Sequence, residues 1–171
     1  DWSSDVCSSD LKQSVTREQN LIDIVAAYDR LASHPATDTE SIAVIGTSYG
    51  GYLSAILTTL RPVKWLALRV PALYWDEEWD APKDSLDRQK LAEYRHTFVP
   101  PQGNRALSAC SEFEGDVLLV ESEHDDFVPH TTLMSYRSAF EQAHSLTHRI
   151  LDGADHDLSD DAHQKAYTML L

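Results

Sequence analysis

The hexapeptide Gly46-Thr47-Ser48-Tyr49-Gly50-Gly51 joins an apolar run, Ile42 to Ile45, to a helix-compatible run, Tyr52 to Leu60. The order is strand, sharp turn, helix, with a hydroxyl at the apex. A chain that reverses from a strand straight into a helix is cramped, and it needs small residues two before and two after the apex. Gly46, Gly50 and Gly51 meet that need. Such a turn lifts the Ser48 hydroxyl above the sheet edge. It also aims the Tyr49 backbone N–H, at the start of the new helix, toward the same point. G-x-S-x-G alone recurs by chance, and its place between a strand and a helix is what gives it meaning.

The rest of the chain alternates in the same way. Residues 16 to 33 read as an amphipathic helix: Thr16 and Gln19 have capping-box spacing, and Leu21, Ile24, Val25, Tyr28 and Leu31 share a face. Val63 to Val70 is a strand, apolar except for Lys64 and Arg69, ended by Pro71. A short helix over 104–112 precedes the strand Val117 to Val120. A helix over 131–143 turns Leu133, Met134, Tyr136 and Phe140 to the core. A strand over Thr147 to Leu151 and a helix over 159–171 complete the series. Alternating strands and helices imply a mostly parallel sheet with helices on both faces.

A serine hydroxyl is a weak nucleophile at neutral pH and needs a base, which in turn needs an orienting carboxylate. After the strand at Val117 comes Glu121-Ser122-Glu123-His124-Asp125-Asp126-Phe127-Val128-Pro129. After the strand at Thr147 comes Asp152-Gly153-Ala154-Asp155-His156-Asp157-Leu158-Ser159. The serine and both of these segments lie past the C-terminal end of a strand, the edge where open α/β sheets bind ligands. His124 competes with His156 for the role of base but precedes the acid. It reads with His34, His96, His130, His144, His148 and His163 as a surface or packed histidine. Asp155 and Asp157 flank His156 and read as loop-solvating residues. No cluster has metal-ligand spacing, so neither a metal nor another cofactor is expected.

The segments GTSYGGY, DDFVP and GADHDLS together resemble the α/β-hydrolase superfamily, in particular its dienelactone-hydrolase-like esterases and prolyl-oligopeptidase-like serine peptidases. The resemblance covers about residues 16 to 171. It implies a partial α/β-hydrolase fold with Ser48 as nucleophile, Asp125 as acid, His156 as base and the Tyr49 N–H as one oxyanion donor. Ser122 stands where the pattern usually has glycine, which keeps Asp126 open as the acid. The implied activity is hydrolysis of a carboxylic ester, with a prolyl-oligopeptidase-like peptidase as the alternative. A non-catalytic binding module, or another chemistry at the same elbow, is the more distant reading. The second oxyanion donor of such enzymes comes from a loop upstream of anything here. Losing one donor costs about 10²–10³ in kcat, so this fragment is expected to be impaired.

Residues 72–103 interrupt the alternation with Tyr74, Trp75, Trp79, Tyr94 and Phe98 among acidic neighbours. They are long for a connection and are expected to form a small cap after the second strand, with Tyr74, Trp75 and Trp79 walling the substrate pocket. The competing expectation makes Trp75 and Trp79 one packing face of a helix. Residues 1–11, DWSSDVCSSDL, read as the in-frame translation of a sequencing-library adapter and are set aside from the fold as a non-native scar, leaving 12–171 as the C-terminal part of a hydrolase domain.

The formal net charge is −14, and the chain remains acidic without Asp1, Asp5 and Asp10. Such a surface repels nucleic acid and anionic membranes, so the expected partner is a small ester or peptide substrate. Oligomeric state is left open. Apart from Cys7 in the scar, Cys110 is the sole cysteine, which suits a reducing, cytoplasmic compartment. No apolar run approaches the roughly 20 residues that cross a bilayer.

Overall fold

The computed structural model describes residues 15–171; the adapter-like segment lies outside the described residues. The elements run α1 (Arg17–Ala32), β1 (Ala43–Thr47), α2 (Tyr49–Leu57), β2 (Trp65–Arg69), α3 (Arg88–Arg95), α4 (Arg105–Glu112), β3 (Asp116–His124), α5 (His130–Ala139), β4 (Ser145–Asp155) and α6 (Asp161–Thr168). All strand pairs are parallel, and the sheet order β1-β2-β3-β4 follows the sequence. This is a partial α/β-hydrolase fold.

Strand register sorts the side chains into two faces. Val44, Leu66, Val117 and Leu146 align across the sheet, as do Gly46, Leu68, Leu119 and His148. This face meets α2, α4 and α5 in the main core, where Leu53, Leu68, Leu107, Leu119, Leu133 and Tyr136 are almost fully buried. The Thr16 side chain accepts the Gln19 N–H to start α1, which packs Tyr28 against Ile42 and Leu57 beside β1. The opposite face is covered by α6, over Val120, Leu151, Ala154 and Leu158. Toward the other end of that face, Ile45 and Trp65 stay 56% and 40% exposed. They line an open groove of about 590 Å³ with Leu118 and Met169.

Several boundaries differ from the sequence reading. The helix after Ser48 begins at Tyr49, so Gly50 and Gly51 are helical rather than part of the turn. Strand β4 continues to Asp155, because backbone pairing beside β3 resumes after an irregularity, with His124 opposite Asp155. Helix α5 stops at Ala139 instead of reaching residue 143. Leu31 is 52% exposed and does not join the core.

Residues 72–103 pack into the main body. Leu73, Tyr74, Trp75, Leu86 and Val99 belong to the main core, and Trp75 and Trp79 lie outside any helix. Tyr74 and Trp75 are 6% and 5% exposed. The helical packing face expected for Trp75 and Trp79 does not form: Tyr74 is buried against Tyr49 and Tyr52 of α2, and Trp75 packs on Tyr94 of α3, where it edges an open groove with Lys90 and Glu93. Trp79 is half-buried, with the Arg105 guanidinium 3.9 Å from its ring centre.

Candidate active site

Three side chains converge at the C-terminal edge of the sheet, each from the first residue after a strand. Ser48 follows β1, Asp125 follows β3 and His156 follows β4. His156 Nδ1 lies 2.6 Å from Asp125 Oδ2, and Nε2 lies 3.1 Å from Ser48 Oγ. A carboxylate only accepts, so Nδ1–H donates to Asp125 and Nε2 is left to accept the Ser48 hydroxyl. The imidazole is thereby fixed in the tautomer that can take a proton from Ser48.

Ser48 has φ 52° and ψ −120°, a conformation that costs a non-glycine residue on the order of 1–3 kcal/mol. The turn is held from both sides. The Ser48 N–H donates to the Arg69 carbonyl at 3.0 Å, and the Ser48 carbonyl accepts from Tyr52 and Ala72. Beyond it, the Tyr49 N–H opens α2 and has no acceptor among the described hydrogen bonds. The Tyr49 phenol donates to Asn20 at 2.8 Å, its ring meets Tyr74 edge-on, and the Lys83 ammonium lies 4.7 Å from the ring centre.

The Asp125 side chain is 1% exposed. Its Oδ1 accepts the Phe127 and Val128 N–H groups, each at 2.8 Å. Burial pushes its carboxyl up, but the His156 hydrogen bond, these two N–H donors and the His156 charge outweigh burial and hold it below the usual carboxylate range. Asp126 is exposed and makes none of these contacts, so the structure brings Asp125, not Asp126, to the imidazole. His124 is exposed and faces Glu123 at 3.9 Å. Asp155 accepts the Ser159 N–H and shapes the His156 loop without touching the imidazole.

Two features escaped the sequence reading. Glu121 is 5% exposed on β3, 2.7 Å from His130 Nδ1 and 3.2 Å from His148 Nε2. It ties the start of α5 and the middle of β4 to the strand that carries Asp125. Phe127, 62% exposed, sets its ring edge-on to His156 with centres 5.1 Å apart. Its carbonyl accepts from Arg95 of α3 at 3.1 Å. No local pattern marks either residue; only the fold brings their partners together. Among the described residues no group of three or more His, Cys, Asp or Glu could hold a metal ion, and no helix is long and apolar enough to cross a membrane.

The sequence model of the prolyl oligopeptidase family matches residues 10–170. No curated protein sequence matches the chain. In fold, the chain is similar to dipeptidyl peptidase 4 from Porphyromonas gingivalis, with a TM-score of 0.62 and 20% identity over 94% of this chain and 23% of that one. It is similar to the esterase domain of a Rhodothermus marinus protein, with a TM-score of 0.62 and 19% identity over 91% and 67% of the two chains. A dienelactone hydrolase from Anabaena variabilis gives a TM-score of 0.59 and 19% identity over 90% and 57%. The chain thus spans about a quarter of the peptidase and about two thirds of the esterase-domain chain.

Proposed function

The chain belongs to the prolyl oligopeptidase family of α/β hydrolases, and from that premise we propose that it is a serine hydrolase acting through Ser48, His156 and Asp125. The observation that carries this reading is the continuous relay Asp125–His156–Ser48, at 2.6 Å and 3.1 Å. The Ser48 oxygen attacks an ester or amide carbonyl while His156 Nε2 takes its proton. Asp125 stabilises the resulting imidazolium. The tetrahedral oxyanion accepts the free Tyr49 N–H. His156 returns the proton to the leaving alcohol or amine, and water then repeats the sequence on the acyl-enzyme. Residues 72–103 cap the site on one side, with Lys83 against the Tyr49 ring and Arg95 on the acid loop.

Substrates divide into two classes. The likeness to an esterase domain and to a dienelactone hydrolase favours a carboxylic ester, whereas the family match and Tyr49-Gly50-Gly51-Tyr52 favour a peptide. Amide cleavage at a rate near that of the matching ester identifies the peptidase.

The test is reaction with a fluorophosphonate, in which the Ser48 oxygen bonds to phosphorus and fluoride leaves. Mass spectrometry is expected to find the adduct on the peptide holding Ser48 and to find none in Ser48→Ala. An adduct elsewhere, or one that survives Ser48→Ala, overturns the assignment.

A further inference from the structure

Arg69 ends β2 and is 6% exposed. None of the described ion pairs includes it. A guanidinium removed from water without a carboxylate partner is costly to keep, and burial lowers its proton affinity against the pull of Tyr167, Asp125, Asp157 and Asp155. Its position answers a geometric problem of the site. Ser48 follows β1 and His156 follows β4, with two strands between them. Three strand spacings are about 14 Å, yet the two side chains meet at 3.1 Å. The His156 loop therefore leans back over the ends of β3 and β2, and Arg69 stands beneath that arch.

There it makes two contacts in opposite directions. Arg69 Nη1 donates to the His156 carbonyl at 2.9 Å, while the Arg69 carbonyl accepts the Ser48 N–H at 3.0 Å. The same Nη1 reaches toward Ser122 Oγ at 3.5 Å, and the Tyr167 ring of α6 lies 5.7 Å from the guanidinium carbon. We propose that Arg69 is the positioning residue that sets the distance between nucleophile and base, its main chain holding Ser48 and its side chain holding the backbone of His156. It touches no reacting atom. The proposal rests on the serine-hydrolase reading for its kinetic consequence, but not for its structural one.

The rival account is that Arg69 only fills space under α6, stacked on Tyr167. Two measurements on the full chain separate them: the rate of fluorophosphonate acylation at Ser48, and the downfield proton resonance of His156 Nδ1–H. Displacing a base by about 1 Å costs about 10²-fold in rate. Arg69→Ala is expected to slow acylation by that factor and to broaden or shift the resonance. Added methylguanidinium is expected to restore both. Unchanged acylation and an unchanged resonance in Arg69→Ala overturn the proposal, as does a loss accompanied by lower thermal stability that methylguanidinium does not recover. If Arg69→Ala fails to fold, Arg69→Lys and Arg69→Gln carry the test. Intermediate rates support positioning, and wild-type rates in both overturn it. If the wild-type chain is not acylated, the functional reading fails, and the resonance in the same variants still decides the role of Arg69.

Discussion

A methyl group at Gly46 would lie 2.6 Å from Ser54 Oγ and 2.7 Å from the Gly51 Cα, and one at Gly51 would lie 3.0 Å from Pro71 Cβ. At Gly50 it would meet nothing within 4 Å. The three glycines look equivalent in the motif and are not equivalent in space. Gly46→Ala is expected to destabilise the fold by about 1–3 kcal/mol through overpacking, and Gly51→Ala by less. Gly50→Ala is expected to be neutral or to stabilise by about 0.4–1 kcal/mol. Urea denaturation of the three variants checks the order. What sequence exposes at this scale is local: Ser48, Asp125 and His156 each stand beside a turn signal of their own. Arg69 stands in an apolar strand, where it reads as an interruption, and its partners are 87 residues away at His156 and 53 away at Ser122.

Strands and helices were legible through their apolar periods, and their ends were not. Strand β4 runs on past Asp152 and Gly153 to Asp155, which pairs with His124 of β3 beyond the irregularity, so tertiary pairing carries residues of low strand propensity past the end the sequence suggests. The connection carrying Tyr74 and Trp75 is a related case: large aromatics among carboxylates read as surface residues, while their burial is decided by what packs over them. Asn104 is the joint that fixes this segment. It is 2% exposed, accepts the Ala106 N–H to start α4, and donates to the Tyr74 carbonyl at 2.6 Å and the Tyr94 hydroxyl at 3.2 Å. Asn104→Ala removes a helix cap and leaves the Tyr74 carbonyl without this donor. The expected cost is about 2–4 kcal/mol, measured as a lower midpoint in chemical denaturation. Asn104→Asp keeps the cap but loses the donor, and is expected to recover only part of that cost.

For the molecule as a whole, acid is the condition that tests most contacts at once. Hydrogen bonds from Arg61, Ser41, Ser145 and Ser159 hold Asp29, Asp38, Asp116 and Asp155 below 3.8, and Asp125 joins them, its His156 and backbone hydrogen bonds overcoming burial. A carboxylate with a lowered folded value stabilises the fold above its unfolded value and loses that contribution as pH falls through the folded one. The thermal midpoint is therefore expected to hold from pH 7 to about 5 and to drop below about pH 4. Asp125→Asn is expected to make that drop shallower, a comparison that scanning calorimetry across pH can make.

The sheet order that repeats the sequence order also dictates a timetable. A chain that has folded only β1 to β3 already owns its strained Ser48 turn and its carboxylate, but no imidazole to join them. The Ser48–His156 contact spans 108 residues, and contacts of such range cost loop-closure entropy and slow folding. On the proposed reading, a chain whose β4 has not docked holds Ser48 without its base. Labelling of Ser48 by a fluorophosphonate is then expected to follow the docking of β4, so refolding watched by labelling reports when the two ends of the sheet have come together.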